Sequence, residues 1–98
     1  MPDRLKVLAL FDALPGKTEE LKQILIGLKK ASEVEKGCTF FQLLQNETTP
    51  SSLVFIEEWD SQEHFDAHLK ADYLKEARAK MAGVLSGSQD VRVYRIVE

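Results

Sequence analysis

The residues best suited to chemistry lie in one stretch, "FIEEWDSQEHFDAHLKADYL", at positions 55–74. It holds both histidines of the chain and its one tryptophan. An imidazole, with an ordinary pKa of roughly 6.5, can take a proton from an acidic phenol near neutral pH. His68 is therefore a candidate general base, and Trp59 is a candidate flat wall for an aromatic ligand. Each also has a structural interpretation: His68 as a packed, hydrogen-bonded core residue, and Trp59 as the plug of a small core.

The two histidines do not predict a metal site. His64 and His68 are four residues apart and share one face of a helix, a spacing that zinc sites use when a third ligand is present. The residue after His64 is Phe65 rather than the glutamate of that motif, and no cysteine lies nearby. We therefore expect no bound metal and interpret His64 as a solvated helix residue.

Glu57 stands two positions before Trp59, so both side chains should lie on one face of a strand. A carboxylate that points into a core must find a partner. The natural candidates are Arg92 and Arg95 on the last strand, so we interpret Glu57 as half of a structural ion pair rather than as a catalytic group. Glu58 should face the opposite way.

Hydrophobic periodicity predicts the elements that position these residues. Residues 4–13 alternate like a strand, and Leu8 and Leu10 make its second face apolar too. An amphipathic helix follows, with Thr18 as its predicted N-cap, Val34 as the last residue of its apolar face and Gly37 as its predicted C′ residue.

The second half of the chain returns to strands and then to helices. The segments "CTFFQLLQ" and "LVFIEEW" predict a hairpin, and Asp60 with Glu63 three residues later predicts a capping box at the next helix. A further short helix is expected from Ala71 to Met81, followed by the alternating strand "DVRVYRIV".

This order, βαββαβ with the second helix split in two, predicts an α+β, ferredoxin-like fold with a four-stranded antiparallel sheet. We expect residues 1–98 to form a single domain. Helices cover only one face of such a sheet. A second copy of the chain is the expected cover for the other face, which predicts a homodimer.

Composition excludes several classes of partner. Thirteen basic against sixteen acidic residues, without a basic block, argue against nucleic acid. No apolar run approaches the roughly 20 residues that span a bilayer, so we expect no membrane association. One cysteine, Cys38, cannot form an internal disulfide, and a reducing cytoplasm is the expected location.

Three segments of the chain are similar to the antibiotic biosynthesis monooxygenase superfamily. They are "ALPGK" with "EEL" after the first strand, "EKGC" before the second, and "EEWDSQEHFDAHL". The specific part is a glutamate and a tryptophan that end the third strand, then a helix with a histidine nine residues past the tryptophan. The matching residues are Glu57, Trp59, Ser61, Glu63 and His68.

The resemblance implies a small dimeric α/β barrel with a pocket between sheet and helices. Several members oxidise polycyclic phenols or hydroquinones with dioxygen, using neither metal nor flavin. Others degrade haem, process a small phosphorylated sugar-like signal, or have no known reaction. Haem-degrading members carry an asparagine and a histidine where this chain has Ala9 and Ala77. Many relatives carry a tyrosine at Phe41, and quinone-forming members an asparagine at Phe55.

The leading hypothesis is a cofactor-free monooxygenase that acts with dioxygen on a hydroquinone or another electron-rich aromatic substrate. In it His68 takes the substrate proton, Trp59 holds the ring, and four phenylalanines line the pocket and exclude water: Phe11, Phe41, Phe55 and Phe65. The alternatives are a small-ligand-binding or stress-related dimer without chemistry, and an isomerase that processes a signal molecule. A narrow apolar pocket would favour a flat aromatic, whereas a filled core would leave no small-molecule site.

Overall fold

A computed structural model describes residues 3–97 of the chain. Its elements follow the predicted order, and the second helix is divided into α2 and α3. They are β1 (Leu5–Asp12), α1 (Thr18–Ser32), β2 (Cys38–Gln45), β3 (Ser52–Trp59), α2 (Gln62–Leu69), α3 (Asp72–Met81) and β4 (Asp90–Arg95).

The four strands form one antiparallel sheet in the order β2-β3-β1-β4. In the register of the two central strands, Val7 lies opposite Glu57, and Ala9 lies opposite Phe55. Residues directly opposite each other project from the same face, and these four are all buried. The core therefore lies between this face and the helices, which confirms the α+β, ferredoxin-like fold.

Helix α1 differs from its prediction at both ends. Thr18 is its first residue, and the N-cap is Lys17, which makes no side-chain capping bond. The helix ends at Ser32, whose hydroxyl donates to the backbone carbonyl four residues earlier at 2.7 Å. The predicted extension to Val34 is wrong: this side chain is 81% exposed, because the chain turns back towards the sheet through Gly37, where φ is +88°.

Helix α2 begins one residue later than predicted. Its N-cap is Ser61, which has an extended backbone and whose hydroxyl accepts from the backbone N–H of His64 at 3.3 Å. Asp60 lies outside the helix because its own N–H donates to the carbonyl of Gly37 at 2.8 Å. The predicted capping box between Asp60 and Glu63 is therefore wrong.

The break between α2 and α3 changes the direction of the chain, so that α3 packs against α1. Ala71 adopts an extended conformation there, with φ of −64° and ψ of 137°. As a result Tyr73, in the first turn of α3, reaches His68 in the last turn of α2. Within residues 3–97, no helix has the length and apolarity that crossing a membrane requires.

Candidate active site

His68 projects from α2 into the core and is only 4% exposed. Its Nδ1 lies 2.6 Å from Oε2 of Glu35, a residue in the turn between α1 and β2. Nδ1 also lies 3.1 Å from the hydroxyl of Tyr73, which donates to the same carboxylate oxygen and lies 3.2 Å from Oγ of Ser32. One carboxylate therefore ties α1, α2 and α3 together at the imidazole.

The network determines which nitrogen of His68 is free. A carboxylate oxygen only accepts hydrogen bonds, so Nδ1 is protonated and donates a hydrogen bond to Glu35. In the neutral ring, Nε2 then holds the lone pair. Within residues 3–97 every fully buried side-chain nitrogen or oxygen has a hydrogen-bond partner. Nε2 of His68 has no hydrogen bond to the protein, so it is not one of these fully buried atoms. His68 therefore presents a basic nitrogen to the cavity that it lines.

The surroundings of His68 keep it neutral. Burial lowers the pKa of the imidazole from its ordinary 6.5, since a charged ring loses hydration there. The hydrogen bond and the negative charge of Glu35 oppose this shift, while the positive charge of Arg78 adds to it. At neutral pH His68 is thus an uncharged base with a carboxylate ready to stabilise the imidazolium that forms when it takes a proton.

Aromatic rings hold the imidazole on three sides. The indole of Trp59 lies against it, with ring centroids 4.6 Å apart and planes tilted by 35°. Phe65 is stacked at 6.1 Å, and Phe41 meets the imidazole edge-on at 6.3 Å. These contacts restrict the rotation of the His68 side chain, and the hydrogen bonds at Nδ1 determine which way the imidazole ring faces.

Glu57 has a partner different from the predicted one. It is 4% exposed, and its Oε1 accepts a hydrogen bond from the indole Nε1 of Trp59 at 2.9 Å. The predicted ion pair is wrong: Arg92 bonds to Asp90 on the strand surface, and Arg95 reaches the backbone carbonyl of Asp3 and, at 3.5 Å, the side chain of Gln62. Both arginines lie on the edge strand β4, all of whose residues are exposed to solvent.

A cavity of about 30 Å³ lies between the helices and the sheet. Its wall brings together the predicted base and the four predicted aromatic residues, His68, Phe11, Phe41, Phe55 and Phe65, and adds Glu57. Arg78, Gln89 and Val91 also border it and are partly or fully exposed, so they form its rim. The volume suits one or two water molecules and falls short of the about 150 Å³ of a cavity that holds benzene.

Trp59 does not border this cavity. Its side chain is fully buried, behind His68 and against Phe65. The predicted role as a flat wall that touches a ligand is therefore corrected to a supporting one. Trp59 acts through the two groups that it holds, the imidazole of His68 and the carboxyl of Glu57.

No sequence pattern indicates three members of the network, Glu35, Tyr73 and Ser32. Each is an ordinary polar residue, and only the turn after α1 and the break before α3 bring them to the imidazole. Tyr73 follows His68 by five residues, which would place the two on different sides of one continuous helix.

His64 is half-buried rather than solvated, so this prediction is wrong. Its Nδ1 lies 2.8 Å from Oγ of Ser61, and the ring lies against Gly37, where an added Cβ would come within 2.2 Å of it. Its role is to fasten the start of α2 to the turn before β2. In the described part of the chain, no three histidine, cysteine, aspartate or glutamate side chains form a group that could hold a metal ion.

Comparisons with known proteins give one family and one fold. The family model for antibiotic biosynthesis monooxygenase matches residues 4–80. An uncharacterized protein of Synechocystis sp., sll1783, is 27% identical over 84 residues; the match covers 86% of this chain but only 57% of that protein.

Two solved structures have closely similar folds. Protein SO0527 of Shewanella oneidensis superposes with a TM-score of 0.89 at 25% identity, over 96% of this chain and 91% of that one. PA3566 of Pseudomonas aeruginosa gives a TM-score of 0.90 at 23% identity, over 99% of this chain and 98% of that one. These likenesses extend over the whole sheet and all three helices.

Proposed function

The chain belongs to the antibiotic biosynthesis monooxygenase family, and we propose that it is a cofactor-independent monooxygenase of hydroquinones or other electron-rich phenols. The observation that carries this proposal is the orientation of His68. Its Nδ1 is held by Glu35, and its Nε2 is left free at the wall of a cavity lined with phenylalanines.

The chemistry follows from what an ionised phenol can do. Once Nε2 has taken the hydroxyl proton, the phenolate is electron-rich enough to give an electron to dioxygen without a metal or flavin. One oxygen atom ends on a ring carbon, and the other leaves as water. The protein has to deprotonate the substrate and keep bulk water away from the oxygenated intermediate, for which neutral His68 and the phenyl rings are suited.

Glu35 orients and supports the base. Its carboxylate accepts from Nδ1 at 2.6 Å, and the resulting imidazolium is paired with a negative charge as soon as it forms. The aromatic neighbours exclude water from the imidazole, and the Glu35 side chain is 25% exposed, so the interaction is stronger than that of a fully exposed surface pair. A carboxylate held behind a histidine in this way raises the ability of the far nitrogen to accept a proton.

An aromatic substrate requires the cavity to widen, because 30 Å³ holds no ring. The exposed rim residues Arg78 and Gln89 lie on α3 and on the loop before β4, and they can move without disturbing the sheet. The same small volume favours a second candidate function, a dimeric protein of this family that performs no chemistry and whose core is simply closed.

A second copy of the chain is the proposed cover for the outer face of the sheet. Phe40, Leu44 and Tyr94 on that face are 39–47% exposed, and Leu8 pairs with Ile56 between them. Exposed apolar side chains on a sheet face that no helix covers favour such a partner. Sedimentation velocity should give a dimer, and Ile56→Lys should dissociate it. A control, Val34→Lys, changes an exposed apolar residue outside the sheet and should not. A monomeric wild-type protein would overturn the proposal.

Oxygen consumption tests the proposed activity directly. Protein freed of metal and flavin should consume dioxygen when supplied with 1-naphthol or with substituted hydroquinones. His68→Asn should remove this activity, because an asparagine amide can still donate to Glu35 but offers no basic nitrogen. His64→Asn, on the same helix but outside the cavity, is the matched control and should retain activity. Absence of turnover in the wild-type protein would favour the non-catalytic candidate.

A further inference from the structure

Glu57 is a buried carboxyl group of which the protein uses only one oxygen. Oε1 accepts the indole N–H of Trp59 at 2.9 Å. Oε2 makes no hydrogen bond within residues 3–97. Since every fully buried side-chain oxygen there has a partner, Oε2 is not fully buried, and it is open to the cavity that Glu57 lines. Burial to 4% exposure without a cation partner is costly for a carboxylate and needs a reason.

The groups around Glu57 favour its uncharged form relative to an ordinary glutamate. Burial is the main cause that raises its pKa to about 7, the nearby charge of Glu35 adds to the shift, and the hydrogen bond from Trp59 opposes it. The titratable and charged groups on the elements packed against it are Glu35 in the turn before β2, Cys38 on β2, His68 on α2, and Tyr73 and Arg78 on α3. None of them forms a salt bridge with it.

We propose that Glu57 is a second catalytic residue of this cavity, which passes a proton to the oxygenated intermediate and recovers one from the ring carbon. This inference rests on the proposed monooxygenase function. Its support is geometric. His68 borders the cavity from the helix side and Glu57 borders it from the sheet, and the buried indole of Trp59 contacts both.

Two separate groups suit this reaction because its two sites lie across the ring from each other. In a phenol oxidised at the carbon opposite its hydroxyl, the acidic O–H and the reacting C–H are at opposite ends of the molecule. A base fixed by Glu35 next to the hydroxyl does not reach the far carbon unless the ring turns over. A second proton-transfer group, on the sheet side of the cavity, removes that need.

The steps balance with dioxygen as the only oxidant. His68 takes the hydroxyl proton, the phenolate gives one electron to dioxygen, and the two radicals join as a carbon–oxygen bond that leaves a peroxide anion. Glu57 protonates the distal oxygen and becomes a carboxylate. The carboxylate then removes the hydrogen from the same carbon, and a C=O bond forms as the O–O bond breaks. The released hydroxide, unlike the ring, is free to move through the cavity to Nε2, where it takes the proton held by His68. The products are a quinone and one water, and both residues return to their starting states.

The test compares Glu57→Gln with the matched control Glu58→Gln. Glu58 is the next residue on the strand but faces the opposite side of the sheet, where it pairs with Arg4 and Lys6. Glutamine at position 57 keeps an acceptor for Trp59 and has nearly the same shape, but it cannot release a proton. With 1-naphthol, whose ring carbon opposite the hydroxyl is free, we expect kcat/KM to fall about 100-fold or more for Glu57→Gln and less than twofold for the control.

The pH profile separates a catalytic from a structural role. In the wild-type protein, activity should fall at low pH as His68 is protonated, and again above about pH 7 as Glu57 ionises. The residual activity of Glu57→Gln should lack the upper fall and should be accompanied by release of hydrogen peroxide. A variant that is merely weakened and keeps the upper fall would overturn the inference, as would one as active as the control.

If circular dichroism shows that Glu57→Gln does not fold, a second variant tests the catalytic role of Glu57. Trp59→Phe removes the hydrogen bond that lowers the pKa of Glu57, so the upper fall of the profile should move to higher pH. An unmoved profile would overturn the inference. If the wild-type protein consumes no oxygen with any phenol, the proposed function itself fails and takes this inference with it. Normal wild-type turnover that is indifferent to Glu57 refutes the inference alone.

Discussion

Replacing Glu35 by glutamine tests whether His68 is held and tuned by the network. Two donors, Nδ1 of His68 and the hydroxyl of Tyr73, converge on one oxygen of this carboxylate. A hydrogen bond to a charged group contributes about 1.5–3 kcal/mol to stability. Glutamine keeps an acceptor but loses the charge, and the Glu35 side chain is 25% exposed, so we expect Glu35→Gln to cost about 1–2 kcal/mol. For a domain of this size, that lowers Tm by about 4–16 °C.

The same change should lower the pKa of His68. Burial already lowers this pKa, and both the hydrogen bond and the charge of Glu35 raise it, so their loss leaves burial less opposed. A histidine whose folded pKa lies below its unfolded value destabilises the protein as pH falls through the unfolded value, because the unfolded chain then binds more protons. The stability gap between variant and wild type should therefore widen below about pH 6.5. Proton NMR of the imidazole and urea unfolding between pH 5 and 8 measure both effects.

The matched control is Glu33→Gln, two residues away. Glu33 forms a surface pair with Lys29, both partners are largely or partly exposed, and such pairs contribute about 0.2–1 kcal/mol. If the two variants show the same Tm and the same His68 pKa, the carboxylate at position 35 does not support the imidazole, and the assignment of Nε2 as the free base fails. With active protein, Glu35→Gln should also lower kcat/KM about 10- to 100-fold, since the imidazolium loses its paired charge.

Three further changes have definite expected outcomes. Gly37→Ala should lower the free energy of unfolding, measured in urea, by about 2–4 kcal/mol, and Gly16→Ala by only about 1 kcal/mol. Both glycines have positive φ, but of the two only Gly37 has a neighbour within 4 Å, so equal losses would contradict this reasoning. Tyr73→Phe should lower stability by about 1–2 kcal/mol, since a donor to the buried network is lost, and an unchanged Tm would argue against that bond. Burial raises the pKa of the Cys38 thiol to about 11, so at pH 7.5 iodoacetamide should alkylate it far more slowly than it alkylates the unfolded chain; equal rates would refute this.

Local pattern was enough to predict most of the fold. Alternation and helical spacing predict the ends of strands β2 and β3 to within one residue, and they also predict that the second helix is divided in two. The errors lie at helix ends, where a single hydrogen bond selects the cap. Ser61 rather than Asp60 caps α2, because Asp60 is used by the carbonyl of Gly37. Sequence spacing cannot show such a competitor, since Gly37 is distant along the chain.

Partners were harder to predict than positions. The inward direction of Glu57 followed from strand alternation, but its partner did not. The need of a buried carboxylate for a cation predicts an arginine as the partner. Instead burial raises the pKa of the Glu57 carboxyl to about 7, which favours its neutral form. Its Oε1 accepts a hydrogen bond from the indole of Trp59, two residues away. A neutral donor can serve as partner because burial raises the pKa of this carboxyl and so lessens its need for a cation.

The sequence by itself determined which residues face the core. Period two in the strands and period 3.6 in the helices are properties of the backbone, so His68, Glu57 and the four phenylalanines had to point inward once the elements formed. Tertiary structure decided what each inward group meets. The turn after α1 delivers Glu35 to Nδ1, the break at Ala71 delivers Tyr73, and Trp59 is set behind the cavity rather than in its wall. The contacts of this network join residues up to 41 positions apart, and their geometry depends on how the helices pack on the sheet, which no local pattern encodes.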